Sequence, residues 1–171
     1  FEHTADDALA VVAKSLGLTM SRADRQRLVE AQSTLRPWPD TVAAIRGLRD
    51  AGLRLCMLSN MTEAMLAGGL RRAGLAADFE VILSTDRVRA AKPSTQAYDM
   101  ARTTLALERD QIAFVAFAGW DVAGASWFGF PTAWLNKNNA SAEELGASPQ
   151  MTATDLATIT RWIVGNSQNK H

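Results

Sequence analysis

A chain of 171 residues with 47% hydrophobic and 21% charged residues has the make-up of one folded domain with a full core, far from the disordered regime. Lys+Arg and Asp+Glu both number 18, so the formal net charge is zero. That balance removes the whole-chain electrostatic case for nucleic acid or an acidic membrane surface as a partner. Cys56 is the only cysteine, which excludes an internal disulfide and a cysteine-based metal site, and its place in the apolar run 53–58 reads as a core thiol. No apolar run reaches the ~18 residues of a membrane span. No signal peptide is visible, so a cytoplasmic location is the default expectation.

Residues 6–16 place Ala8, Leu9, Val12, Ala13 and Leu16 at helical spacing, with Gly17 as a stop. Ser21 to Asp24 reads as the cap of a second helix running towards Leu35. Arg36-Pro-Trp-Pro-Asp then breaks the pattern, because each proline restricts the residue before it; it is taken as a linker. A third helix is expected over 40–50, stopped by Gly52.

From there the chain alternates. Strands are expected at 53–59, 81–84, 112–117 and 132–135, and helices at 62–73, 94–105, 121–128 and 155–164. Gly165 to His171 is expected to form a polar, frayed tail. Strand and helix at this spacing predict an α/β, Rossmann-type parallel sheet with helices on both faces. Such sheets bind ligands just beyond the carboxyl ends of their strands. The residues to examine are therefore Ser59-Asn60, Ser84-Thr85-Asp86, Gly119-Trp120-Asp121 and Asn136-Lys137.

Four features fall on that rim. Leu58-Ser59-Asn60 ends a strand with two short hydrogen-bonding groups. Ala91-Lys92-Pro93-Ser94 sets a lysine ahead of a helix, and Tyr98 lies within that helix. Trp120-Asp121 follows the strand at 112–117, with the acid near a helix N-terminus, where the dipole favours a carboxylate. Each has a plain structural alternative: a polar turn for Ser59-Asn60, a loop dipeptide for Lys92-Pro93, an N-cap for Asp121, and core packing for Trp120 and Tyr98. Their joint appearance, in order at successive strand ends, is the informative observation.

That order resembles the haloacid dehalogenase superfamily. Leu-Ser-Asn at 58–60, Lys-Pro-Ser-Thr-Gln-Ala-Tyr at 92–98, Trp-Asp-Val-Ala-Gly-Ala at 120–125, Phe-Gly-Phe-Pro-Thr at 128–132 and Trp-Leu-Asn-Lys at 134–137 look like the type II (S)-2-haloacid dehalogenases. The resemblance implies hydrolysis of short 2-haloalkanoic acids to 2-hydroxy acids through an aspartyl ester, with a small haloacid and water as the only partners and no cofactor. It assigns catalysis to Lys92, Asp121, Ser59 and Asn60. Lys92 would keep the nucleophile ionised, Asp121 would fix Lys92 and help place the water, and Ser59 would bind the substrate carboxylate. Asn60 and Trp120 would contact the halide, and Tyr98 would shape the pocket. It further implies that residues 1–36 are the remnant of a helical cap, 37–164 a core domain and 165–171 a tail. The cap helices could carry a homodimer interface.

Two departures stand out. The family's first strand, which ends in an aspartate nucleophile with Gly-Thr soon after, has no counterpart among these residues. By resemblance it is the central strand, lying between those ending at Ser59 and near Phe117. The chain alone is then expected to be an inactive, truncated form, and a fragment without enzymatic function is the competing reading. Second, Ala116 and Ala118 stand where the resemblance expects a serine and an asparagine around the hydrolytic water. A phosphatase of the same superfamily would need Mg²⁺ and a carboxylate shell, yet only Val122, Ala123, Gly124 and Ala125 follow Asp121. The ligand count therefore favours the metal-free dehalogenase reading.

Overall fold

The structure, a computed structural model, describes residues 2–32 and 34–168. It opens with α1 (Glu2–Ser15) and α2 (Arg22–Gln32), which pack on one another and are tied by the Arg25 Nε to Asp6 Oδ1 ion pair at 2.9 Å. Past the proline-bearing linker comes α3 (Thr41–Asp50), followed by β1 (Cys56–Ser59), α4 (Glu63–Ala73), β2 (Val81–Ser84), α5 (Thr95–Leu105), β3 (Phe114–Ala116), α6 (Gly119–Phe128), β4 (Thr132–Leu135), β5 (Met151–Ala153) and α7 (Leu156–Gln168). Helix α4 is capped by the Thr62 side chain and closed by Gly74 in the left-handed region at φ 67°, a conformation that suits a residue without Cβ. Among the described residues no helix is long and apolar enough to cross a membrane.

All strand pairings are parallel, but they form two sheets rather than one. β1 pairs with β2, in register from Cys56 opposite Val81 to Ser59 opposite Ser84. β3, β4 and β5 form the second sheet, in that order. The core does not divide with the sheets, since residues of β1, β2 and β3 all pack on its larger cluster. Leu83, Tyr98, Met100, Ala101, Phe128 and Phe130 form one cluster beneath α5 and α6, and Ala133, Leu135, Ala153 and Ile159 form another under α7.

Between the two sheets runs a groove of about 770 Å³, walled by Cys56, Met57 and Leu58 of β1 and by Phe114 and Val115 of β3. Apolar side chains of α3 (Ile45, Leu48), α5 (Ala101, Leu105) and α7 (Trp162, Ile163) also line it, and Lys92 borders it. β1 and β3 do not pair across it.

Two expectations are corrected. The residues from Gly165 do not fray at once: α7 continues to Gln168, with Asn166 and Ser167 lining the groove and the Ser167 hydroxyl donating to Val164 O at 2.8 Å. And β5, absent from the expected elements, pairs with β4 from Ala133 opposite Met151 to Leu135 opposite Ala153.

Candidate active site

The carboxyl ends of β1, β2 and β3 bring Asn60, Thr85, Lys92 and Asp121 together, whereas Lys137, beyond β4, pairs with Asp40 at 3.0 Å. Asp121 sits in the first turn of α6 and is buried. It is not the N-cap; Ala118 holds that position. Its carboxylate is turned inward instead, taking the Lys92 Nζ on Oδ2 at 2.5 Å and the Tyr98 hydroxyl on Oδ1 at 2.8 Å. The Lys92 and Asp121 side chains are only 10% and 9% exposed, so this is a desolvated pair whose charges must satisfy one another. The Lys92 ammonium also lies 5.4 Å from the Phe114 ring centroid, within cation–π range.

Tyr98 has no exposed surface. It sits edge-on to Phe114 at 5.5 Å and Phe130 at 6.2 Å, and 5.8 Å from Phe128. Burial, then the Asp121 charge, then its hydrogen bond to that carboxylate push the phenol far above its ordinary value, so it remains a donor. The resemblance makes Tyr98 a wall of the substrate pocket. In the structure its hydroxyl bonds to Asp121, and its ring lies among Phe114, Phe128 and Phe130.

Asn60 has structural partners beyond the contact the resemblance implies. Its Oδ1 accepts from the Lys92 backbone N–H at 2.8 Å and from the Thr85 hydroxyl at 3.2 Å, and its Nδ2 donates to Lys92 O at 3.3 Å. The carboxamide thus clamps the loop that carries Lys92, and one Nδ2–H is left over. Ser59 Oγ accepts from Met61 N at 3.1 Å, which leaves its own O–H to donate elsewhere. Trp120 is 38% exposed, at the first turn of α6 beside Asp121. Ala116 is buried against Val122 and Trp134, so its methyl belongs to the core, while Phe117 is half-exposed and meets Trp38 in a tilted contact with ring centroids 5.2 Å apart.

A model of the haloacid dehalogenase-like hydrolases matches residues 2–129. The chain belongs to that family. Within it, this hydrolase is 34% identical over 164 residues to (S)-2-haloacid dehalogenase H-109 of Pseudomonas putida, covering 96% of this chain and 73% of that enzyme. Among solved structures, the L-2-haloacid dehalogenase RSc1362 superposes with a TM-score of 0.85 at 32% identity, over 92% of this chain and 70% of that one. The L-2-haloacid dehalogenase of Xanthobacter autotrophicus with chloropropionic acid covalently bound gives a TM-score of 0.79 at 26% identity, over 94% and 74% of the two chains.

Two residues of this hydrolase's site escaped the sequence reading. Gly124 looked like part of a run of small residues. A Cβ there would lie 2.5 Å from the Tyr98 hydroxyl and 2.7 Å from Pro93 Cβ, so only glycine lets α6 approach the tyrosine that holds Asp121. Thr85 lay on the examined rim but had no assigned task; it is buried, with its hydroxyl on Asn60. Nothing in the local sequence signals either role, since both depend on contacts between segments far apart in the chain.

Proposed function

We propose that this chain carries the charge-holding and substrate-binding half of a 2-haloacid dehalogenase site, which hydrolyses short 2-haloalkanoic acids to 2-hydroxy acids. The observation that carries the proposal is the buried Lys92–Asp121–Tyr98 chain set at the border of the groove between β1 and β3. A carboxylate at the end of a strand seated in that groove would stand beside Lys92, whose positive charge keeps it ionised. An opposite charge within a few Å lowers a carboxylate pKa by ~1–3 units.

The reaction runs in two displacements. A carboxylate oxygen attacks the carbon bearing the halogen, and halide departs with the bonding pair, leaving an ester. Water then adds to the ester carbonyl carbon, one of its protons leaving to solvent; the adduct collapses to the carboxylate, and the departing alkoxide takes the other proton as the 2-hydroxy acid. Lys92 orients the nucleophile, and Asp121 fixes the Lys92 ammonium and keeps a lone pair on each oxygen for water. The free hydroxyl hydrogen of Ser59 serves the substrate carboxylate. The uncommitted Nδ2–H of Asn60 and the exposed edge of Trp120 receive the halide. Tyr98 acts through Asp121.

The test joins residues 1–171 to the part of the Pseudomonas putida H-109 enzyme that the match leaves uncovered and measures halide release from 2-chloropropionate. Turnover that survives EDTA and vanishes with Lys92→Ala is the expected result. Turnover by residues 1–171 alone that is lost with Asp121→Asn would refute delivery of the nucleophile into the groove. Loss of activity on chelation with recovery on Mg²⁺ would favour phosphoryl chemistry instead.

A further inference from the structure

Thr85 stands one register position beyond the last β2 residue, as Asn60 stands one beyond the last residue of β1. Its side chain is almost wholly buried. A valine would fill the same space, so packing alone does not call for a hydroxyl, and a buried hydroxyl needs a partner. That partner is Asn60 Oδ1.

The consequence lies in the donor and acceptor count of one carboxamide. Asn60 Oδ1 has two lone pairs, one taken by the Lys92 N–H and the other by Thr85. One of the two Nδ2 hydrogens is taken by Lys92 O. The Lys92 bonds decide which end of the amide is oxygen, and the Thr85 bond adds a third anchor that fixes the amide plane. A single N–H remains, with its direction set.

We infer that Thr85 is a positioning residue: its hydroxyl locks the Asn60 carboxamide so that the one free N–H is held as a halide donor at the rim while the Lys92 loop stays clamped. The halide part rests on the reading of Asn60 in the proposed function; the locking part does not.

Both parts can be read on the 171-residue chain by ¹H–¹⁵N spectra of the Asn60 side-chain amide, assigned through Asn60→Ser, during titration with sodium bromide. In the parent chain bromide should shift one of the two Nδ2 hydrogens. Thr85→Val should move the Asn60 pair and the Lys92 backbone amide and weaken bromide binding by about three- to tenfold, the scale of one lost neutral hydrogen bond. Thr85→Ser should return all three readouts towards the parent, which a purely steric role would not predict. Where Thr85→Val does not fold, Thr85→Ser against Thr85→Ala gives the same comparison. If bromide leaves Asn60 unmoved in the parent while Thr85→Val still displaces the amide and Thr85→Ser restores it, the halide role falls and the lock stands. An Asn60 amide and bromide affinity unchanged in Thr85→Val, or equally disturbed in Thr85→Ser, would overturn the lock.

Discussion

Replacing Gly124 by alanine probes the packing on which the buried acid depends. The added Cβ would meet the Tyr98 oxygen at 2.5 Å, Pro93 Cβ at 2.7 Å and Tyr98 Cε2 at 3.2 Å, and the tyrosine ring is enclosed on all sides. Forcing one methyl into such a site costs ~1–3 kcal/mol. If the ring yields, its hydroxyl leaves the Asp121 carboxylate, forfeiting a hydrogen bond to a charged group worth ~1.5–3 kcal/mol. Alanine gains back ~1 kcal/mol of helix propensity over glycine. The net loss is then about 2–5 kcal/mol, large against the ~5–15 kcal/mol that holds a typical domain. At ~2–4 °C per kcal/mol for a chain of this size, Tm should fall by roughly 4–20 °C. Urea unfolding followed by tryptophan fluorescence should show a lower midpoint with an unchanged slope. A second arm isolates the cause. Tyr98→Phe deletes the nearest clashing atom, so Gly124→Ala should cost less in that background, with a coupling in the ~0.5–3 kcal/mol range. A stability loss below ~0.5 kcal/mol, or single losses that simply add, would refute the crowding argument.

Lys92→Ala should destabilise the folded chain by ~3–5 kcal/mol, because it strands a buried carboxylate; adding Asn at position 121 should recover part of the loss in the same urea assay, and no recovery would mean the pair is not the origin. Cys56, pushed up to about 11 first by burial and then by the charge of Glu80, should react with a thiol reagent at pH 8 far more slowly in the folded chain than in urea. A folded-state value above the unfolded ~8.5 gives a contribution that is complete below that value and lost as pH rises towards 11. The urea midpoint should accordingly fall across that alkaline window, and should fall less in Cys56→Ala; an equal fall in the two chains would refute the reasoning.

How far the fold could be read in advance depended on where its information lies. The strands Val81–Ser84 and Thr132–Leu135 emerge from local pattern, as apolar runs of the right length between turn residues. Met151–Ala153 does not, since three residues carry no periodicity and become a strand only by pairing with Ala133–Leu135. The run from Leu53 was expected to be strand throughout, yet the ladder begins at Cys56 because that is where Val81 stands opposite. Asn166 and Ser167 are poor helix formers, but the preceding turns of α7, with Ile159 buried in the core, carry the helix past them. At the rim, residue types and order singled out Asn60, Lys92, Tyr98 and Asp121, which the fold joins in one run of hydrogen bonds. The partners of Asn60 and Tyr98 could not be read, since they lie 25 or 32 residues away for Asn60 and 23 for Tyr98.

Those long-range partners explain why the lysine is held before anything occupies the groove. A lysine side chain carries ~2 kcal/mol of rotamer entropy, and a freely moving ammonium would spend that on meeting its substrate. Here the cost is already met during folding, and from two directions. The aromatic cluster and the close approach at Gly124 fix Tyr98, Tyr98 fixes Asp121, and Asp121 fixes the Lys92 ammonium. Independently, Thr85 fixes Asn60 and Asn60 fixes the Lys92 main chain. One line of contacts holds the head of the residue and the other its root, and neither passes through the groove between β1 and β3. A carboxylate placed beside Lys92 would meet a charge whose position is set by the rest of the protein, which is the condition under which a fixed charge aids a reaction rather than merely binding an ion.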